Sequence, residues 1–179
     1  RSRFPEHSPK ASGGMKPTVP DGVLKDGEKV AQRLKLITSP GHDNDCVCFL
    51  DEETGLLITG DSLQGNGTIC QGIGFYKSLP DYRATLDKLS SLPVKAILCG
   101  HDYDGIGCYI EGKEATEKTF DYCKKRIDVY GSFVSSHRNE DPPLIAEELI
   151  KKEGCGMPPH LFMALYTVTE HLKEVSNHG

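Results

Sequence analysis

The chain has 179 residues, a length that favours one folding unit with a real hydrophobic core over two large domains. Its 26 acidic and 21 basic residues give a formal net charge of −5, and because Lys and Arg are scattered rather than clustered, nucleic acid is disfavoured as a partner. Its apolar runs are far shorter than the ~20 residues needed to cross a bilayer, so we expect no membrane-spanning helix.

The N-terminal residues and the cysteines indicate the cellular compartment of the protein. The first residues lack the apolar core of a secretion signal, and the seven cysteines form an odd number. Several cysteines lie in apolar runs, where a free thiol packs as a small hydrophobic group, so we expect a cytoplasmic protein with reduced thiols. Cys46 and Cys48 have no second cysteine pair to complete a structural zinc site, and we expect them to pack in the core.

The first third of the chain predicts an irregular segment followed by three strands. Residues 1–27 are rich in Pro, Gly and Ser and predict an irregular lead-in. A strand is expected from Glu28 to the turn Ser39-Pro40-Gly41. A second strand covers residues 46–50, and residues 56–61 form its hairpin partner across a short polar turn.

The rest of the chain predicts a loop, a helix, a strand and then three helices. The glycine-rich stretch 62–79 is typical of a loop, and Pro80-Asp81 opens a helix in which apolar residues recur at helical spacing. A buried strand is expected at residues 94–99. Beyond it the pattern is mostly helical, with amphipathic or well-capped segments at residues 111–130, 141–150 and 159–175. Together these elements predict an α/β fold.

Three polar residues share one sequence context. His42, Asp61 and His101 each follow a glycine at the end of a strand-like apolar run. Strand ends at one edge of a sheet bring such residues together, and glycine permits the sharp turn that aims the next side chain inward. Two imidazoles and a carboxylate are reasonable ligands for zinc, iron or manganese. Each residue taken singly is also typical of a helix cap or a solvated turn, but the shared context favours a metal site.

The three motifs that contain these residues resemble, in order, the later motifs of the metallo-β-lactamase superfamily. They are Ser39-Pro40-Gly41-His42, Thr59-Gly60-Asp61-Ser62 and Cys99-Gly100-His101-Asp102. The spacings of 19 and 40 positions between the three candidate ligands suit that family. The tail from Pro158 to Leu172 is similar to the closing helices of the lactamase-B-2-like branch, so the likeness covers most of the chain.

The resemblance implies a fold and a division of the chain. We expect part of the four-layer αββα metallo-β-lactamase sandwich, with a C-terminal helical extension. On this interpretation residues 28–131 form the C-terminal half of such a domain, and residues 132–179 form its helical extension. The family's leading His-x-His-x-Asp-His motif is absent from the sequence, in which His7 is the one histidine before His42. The sequence therefore predicts half of a metal site.

The resemblance also implies residue roles. His42 would bind a first ion, Asp61 would be the bridging and catalytic carboxylate, and His101 would bind a second ion. The implied cofactor is zinc, as one or two ions, with iron or manganese as alternatives. Such sites hydrolyse small-molecule esters, thioesters, lactones or phosphodiesters. Tyr103 and His160 could line the substrate pocket, although a packing aromatic and a helix-start residue are equally ordinary interpretations of them.

The missing motif leaves the activity of this chain open. With several ligands gone, catalysis is expected to be weak or absent, because loss of a single ligand or supporting residue already costs about 10- to 100-fold. The chain could be a fragment of a longer hydrolase, a non-catalytic binding or scaffolding remnant, or a half-domain completed by another chain. A diiron oxidoreductase is a further alternative. A half-sandwich would expose one face of its sheet, so we expect a homodimer or completion by another chain.

Overall fold

The computed structural model describes residues 22–67, 72–103, 106–156 and 161–177, which contain one six-stranded sheet and four helices. The strands lie in chain order across the sheet: β1 Lys29–Val30, β2 Leu34–Thr38, β3 Val47–Asp51, β4 Leu56–Gly60, β5 Ala96–Tyr103 and β6 Gly107–Glu111. The helices are α1 Leu79–Ser90, α2 Lys113–Ser136, α3 Pro142–Lys152 and α4 Phe162–Asn177. The expected α/β class is confirmed. Among these described helices, none has the length and apolar character to cross a membrane.

One strand pair in the described sheet is parallel. β4 and β5 run in the same direction, whereas every other neighbouring pair is antiparallel. Parallel neighbours cannot be joined by a tight turn, and α1 provides the crossover between them. Gly60, at the end of β4, pairs with Cys99 of β5. Residues that follow these two positions therefore meet at one edge of the sheet.

The two faces of the sheet differ in what covers them. On the helix-covered face, register places four residues in one row, and all four belong to the core cluster that includes side chains from every helix: Leu50, Leu57, Ile97 and Ile110. On the opposite, open face, a second apolar row crosses five strands: Leu36, Phe49, Ile58, Leu98 and Tyr109. Leu98 is 40% exposed and Tyr109 57% exposed. The open face is thus apolar and only partly covered.

The single strand expected from Glu28 to residue 38 is wrong, because the structure divides it into β1 and β2. The two strands form an antiparallel hairpin whose turn includes Ala31 and Gln32 with positive φ angles of 50° and 61°. Non-glycine residues rarely adopt this left-handed conformation, and such turns usually carry Gly or Asn. The turn therefore had no recognisable signal in the sequence.

The mostly helical pattern expected beyond Asp102 did not include a further strand, which the structure has. β5 continues to Tyr103, and β6 follows as an edge strand at residues that we expected to lead into a helix. Of the residues in β6, only Ile110 is buried, so the strand lacks a clear apolar alternation. The pairing of β5 with β6 is irregular between Leu98 and Tyr103, where the polar residues of the third motif lie.

The helices cover one face of the sheet and share its core. α1 begins where expected, with Ser78 as N-cap and a proline in the first turn. α2 runs without a break through residue 131, the boundary drawn between the half-domain and its extension. Val134, Ile145 and Val168 of α2, α3 and α4 belong to the same cluster as the buried sheet residues. Residues 1–21 of the expected lead-in, and the expected start of the last helix at residue 159, lie outside the described residues.

Candidate metal site

The structure brings His42, Asp61 and His101 together. Asp61 directly follows β4, His101 lies within β5, and His42 lies in the loop after β2. His42 Nε2 is 3.7 Å from Asp61 Oδ2, and His101 Nε2 is 3.1 Å from Asp61 Oδ1. The parallel pairing of β4 and β5 accounts for the approach of Asp61 and His101, which are 40 positions apart in the sequence.

These separations suit ligands of a metal ion. Two ligand atoms bound about 2.0–2.2 Å from one tetrahedral ion lie about 3.3–3.6 Å apart, and the two imidazole–carboxylate separations lie on either side of this range. Each imidazole faces a different oxygen of Asp61, as in a carboxylate that bridges two ions. In the described ranges, however, no group of three or more His, Cys, Asp or Glu residues is arranged to hold an ion. The donor chemistry therefore fits a metal, but the donors form two pairs around Asp61 and not a closed shell.

The hydrogen bonding of His42 determines which of its nitrogens faces Asp61. His42 Nδ1 lies 3.0 Å from the main-chain carbonyl oxygen of Phe75. Because a carbonyl oxygen only accepts hydrogen bonds, Nδ1 is the donor, and in the neutral imidazole the lone pair is then on Nε2. The Phe75 ring also contacts the imidazole edge to face, with the ring centroids 4.8 Å apart. The imidazole is thus held with its free nitrogen towards the carboxylate, as metal-binding histidines require.

Two glycines are needed for the close approaches in the site. At Gly41, before His42, φ is 139°, and a Cβ would lie 2.6 Å from Tyr82 Cα on α1. At Gly100, before His101, a Cβ would lie 2.6 Å from Asp61 Oδ1. Real Cβ atoms do not approach other atoms so closely, so any side chain at Gly100 would displace the carboxylate. At these two positions the strand-glycine-ligand pattern in the sequence thus has a steric cause.

The site opens to solvent on the side of Asp61 and His101. Their side chains are 38% and 47% exposed, respectively, whereas His42 is mostly buried. A small molecule could therefore reach the carboxylate and the second imidazole directly.

The two residues proposed to bind substrate have different positions. Tyr103 is buried within the core cluster, and its ring centroid lies 6.1 Å from that of His101. Burial raises the pKa of its phenol well above the ordinary value. Among the described residues its hydroxyl has no hydrogen-bond partner. A substrate-binding role for Tyr103 stays a prediction, and His160 lies outside the described residues.

The stretch 62–79, expected to be a loop, is irregular but buried where it is described. Leu63, Gln64, Phe75 and Tyr76 all lie in the interior. Sequence reasoning missed Gln64 and Phe75 as parts of the site, although the apolar residues among the glycines were a sign of a buried loop. Gln64 hydrogen-bonds to the main chain of Asp61, a candidate ligand, and of Phe75, whose carbonyl contacts the His42 imidazole.

Cys48 packs in the core, as expected. It is fully buried, its thiol is 3.3 Å from Ser39 Oγ, and burial raises the pKa of the thiol. Cys46 is half-buried just before β3, and the two cysteines form no disulfide. Burial, chiefly, and the nearby Asp61 carboxylate raise the pKa of the Cys46 thiol, but among the described residues Cys46 completes no metal-binding group.

Comparison with known sequences and structures agrees with this geometry. The family model of the metallo-beta-lactamase superfamily matches residues 3–101. The lactamase-like protein ptaB of Pestalotiopsis fici is 29% identical over 151 residues, which cover 84% of this chain and 40% of that protein. An atrochrysone carboxyl ACP thioesterase of Aspergillus fumigatus is 33% identical over 81 residues, which cover 45% of this chain and 22% of that protein.

Two solved structures share the fold. A metallo-beta-lactamase family protein from Thermus thermophilus has a TM-score of 0.65 and 20% identity, over 87% of this chain and 49% of its own. A beta-lactamase domain protein from Burkholderia ambifaria has a TM-score of 0.65 and 18% identity, over 91% of this chain and 49% of its own. The chain thus spans half or less of the length of these relatives. On the family match, which covers more than half of its residues, the chain belongs to the metallo-beta-lactamase superfamily.

Proposed function

We propose that this chain supplies His42, Asp61 and His101 as the later ligands of a metal-dependent hydrolase site. Membership of the superfamily and the thioesterase names of two relatives indicate a hydrolase-type function. The observation that carries the assignment of residues is the position of the Asp61 carboxylate, which faces one imidazole with each oxygen. Zinc is the first candidate ion, and iron and manganese suit the same nitrogen and oxygen donors.

Each residue has a separate task in this proposal. His42 keeps its proton on Nδ1, where Phe75 accepts it, and offers Nε2 as a ligand. Asp61 offers one oxygen towards each imidazole, and His101 offers Nε2 from β5. When bound, a metal ion would supply Lewis-acid polarisation of a substrate carbonyl and a more acidic water. The exposure of Asp61 and His101 leaves the substrate a direct path to these groups.

A thioester is our first choice of substrate class. Two of the relatives are named as atrochrysone carboxyl ACP thioesterases, from Aspergillus fumigatus and Paecilomyces divaricatus. Esters, lactones and phosphodiesters remain the alternatives, since polarisation by a metal suits all of them.

We also propose that catalysis requires more protein than the described site provides. The relatives and structures are about twice the length matched by this chain, or longer, and the donors around Asp61 form an incomplete set in the described residues. Completion by a second polypeptide segment would supply the other ligands. The rival proposal is a non-catalytic binding domain, in which the three residues keep their positions and bind no metal. A reducing, cytoplasmic compartment is part of the proposal, and Cys46, Cys48 and Cys99 are not in disulfides.

Metal binding by the full chain tests the proposal. Zinc content would be measured after reconstitution, and zinc affinity by competition with a chromophoric chelator. We expect His42→Gln, Asp61→Asn and His101→Gln each to weaken binding by about 10- to 100-fold. His137→Gln, at the C-terminus of α2, is the matched control and should bind as the wild type does. A wild-type chain that takes up no zinc, iron or manganese would contradict a metal site formed by this chain alone and favour the binding domain.

A further inference from the structure

The orientation of His42 depends on a single peptide unit. The carbonyl of Phe75 accepts the Nδ1 proton of His42, and the Phe75 ring contacts the same imidazole. A displacement of this peptide would release Nδ1 and allow the proton to move to Nε2, the nitrogen that faces Asp61. Whatever fixes the Phe75 peptide therefore decides which nitrogen His42 offers.

Gln64 holds the preceding peptide unit, Gly74–Phe75, and the main chain of Asp61 at the same time. Its Oε1 accepts the Phe75 N–H at 3.0 Å, and its Nε2 donates to the Asp61 carbonyl oxygen at 2.8 Å. Gln64 is only 6% exposed, so water cannot easily replace either hydrogen bond. One buried amide thus connects the main chain of Asp61 with the segment whose carbonyl orients His42.

Gln64 is itself held by α1. Its main-chain N–H lies 2.9 Å from the hydroxyl oxygen of Tyr82, and the same hydroxyl lies 3.2 Å from the Gln64 carbonyl oxygen. Tyr82 is fully buried and stacks on Tyr76 with a centroid separation of 4.8 Å. The backbone from which the Gln64 side chain extends is therefore fixed by a packed aromatic residue.

α4 holds the same segment from the other side. The hydroxyl of Thr167 donates to the Gly74 carbonyl at 2.8 Å and accepts the Tyr76 N–H at 3.4 Å. These two residues flank Phe75, and Thr167 is fully buried. The two peptide units on either side of the Phe75 Cα are thus both held. Thr167 bonds to each of them, and Gln64 bonds to the N–H of the first, so together they fix the direction of the Phe75 carbonyl.

We propose that Gln64 is a positioning residue that sets the tautomer of His42 and its placement against Asp61, with Thr167 supporting the same peptide. The inference about metal affinity rests on the proposed function, whereas the inference about the tautomer concerns the metal-free chain. A simple packing role for Gln64 would leave the His42 tautomer unchanged when the amide is replaced by an apolar group of similar length.

The experiment is nitrogen-15 NMR of the histidine side chains in the metal-free full chain, above the ordinary imidazole pKa of about 6.5. We expect His42 to be protonated at Nδ1, its signals being assigned by their loss in His42→Gln. In Gln64→Met, which keeps the length of the side chain and removes both hydrogen bonds, we expect a mixture of tautomers. Cobalt(II) affinity, measured on the same samples, should fall by about 10- to 100-fold.

Thr116→Val is the matched control. Thr116 is buried at the start of α2, and its hydroxyl bonds to main-chain carbonyls remote from the site. This variant should keep both the His42 tautomer and the cobalt affinity of the wild type.

The outcomes separate the two proposals. A His42 tautomer that is unchanged in a folded Gln64→Met variant would overturn the positioning role. If Gln64→Met does not fold, Thr167→Val takes its place with the same expected mixture of tautomers, and Thr167→Ser, which retains the hydroxyl, should restore the wild-type tautomer. A wild-type chain that binds no cobalt would count against the hydrolase site. The comparison of the His42 tautomer between the metal-free wild type and Gln64→Met would still test the role of Gln64.

Discussion

The helix-covered and open faces of the sheet are built from alternate residues of the same strands, and both are apolar. Leu57 and Ile97 pack under the helices with no exposed surface, whereas their neighbours Ile58 and Leu98 lie on the open face. A sheet with one solvated face normally alternates apolar and polar residues, and consecutive apolar residues are typical of a sheet covered on both sides. The strand sequences thus suit a sheet that is covered on both faces, and the described residues cover only one of them.

A core substitution should show the largest difference between the faces. Leu57→Ala in β4 removes a fully buried side chain, and we expect the free energy of unfolding to fall by about 2–5 kcal/mol. Leu98→Ala, in the paired strand but on the open face, should cost less than about 1 kcal/mol because its side chain is already partly hydrated. Urea denaturation measures both, and equal losses would contradict the division into two faces.

The helix layer should also be sensitive to acid through His171. This α4 residue is buried, its Nε2 lies 2.5 Å from the Tyr76 hydroxyl, and burial together with the nearby Arg83 lowers its pKa to about 4. The unfolded chain, with an ordinary imidazole pKa of about 6.5, binds more protons between these values. Stability contributed by the neutral ring is therefore fully present above pH 6.5 and is lost as the pH falls towards 4, by about 3 kcal/mol.

The measurement is the free energy of unfolding as a function of pH, with His171→Gln as the control. The difference in the free energy of unfolding between the wild type and the variant should vary with pH only between about pH 4 and 6.5. A difference that is independent of pH would contradict the assignment of the acid sensitivity to His171.

The open face should affect association more than stability. We expect the isolated chain to pair through this face with a second copy, since its apolar row is exposed at Leu98 and Tyr109. Leu98→Lys should then lower the apparent mass in light scattering while changing the unfolding free energy of the monomer by only about 0.5 kcal/mol. A wild-type chain that stays monomeric at high concentration would contradict this pairing.

Local sequence was sufficient for part of the fold and of the site. Pro80-Asp81 marked the start of α1, and the glycines before Asp61 and His101 identified residues that the structure places at one edge of the sheet. These features depend on the backbone requirements of a few neighbouring residues, so they are visible in a single sequence.

Other features depend on contacts between distant residues. The turn at Ala31 and Gln32 uses left-handed backbone without glycine or asparagine, and β6 is an edge strand whose apolar residues point to both faces. The role of Gln64 arises from hydrogen bonds that span the buried loop and cannot be inferred from the residues beside it. Tertiary packing decides such features, and no local pattern reports them.

The parallel pairing of β4 and β5 has a consequence for how the site assembles during folding. The hairpins β2–β3, β3–β4 and β5–β6 close over short turns, whereas β5 can pair with β4 only after the whole of residues 61–95 has been brought back to the sheet. Closing a longer segment costs more chain entropy and is slower. Asp61 follows β4 and His101 lies in β5, so the two residues become neighbours only when these strands pair. We expect this pairing to be the latest step of sheet formation. An ion held between them would therefore stabilise the completed sheet and none of its separate hairpins.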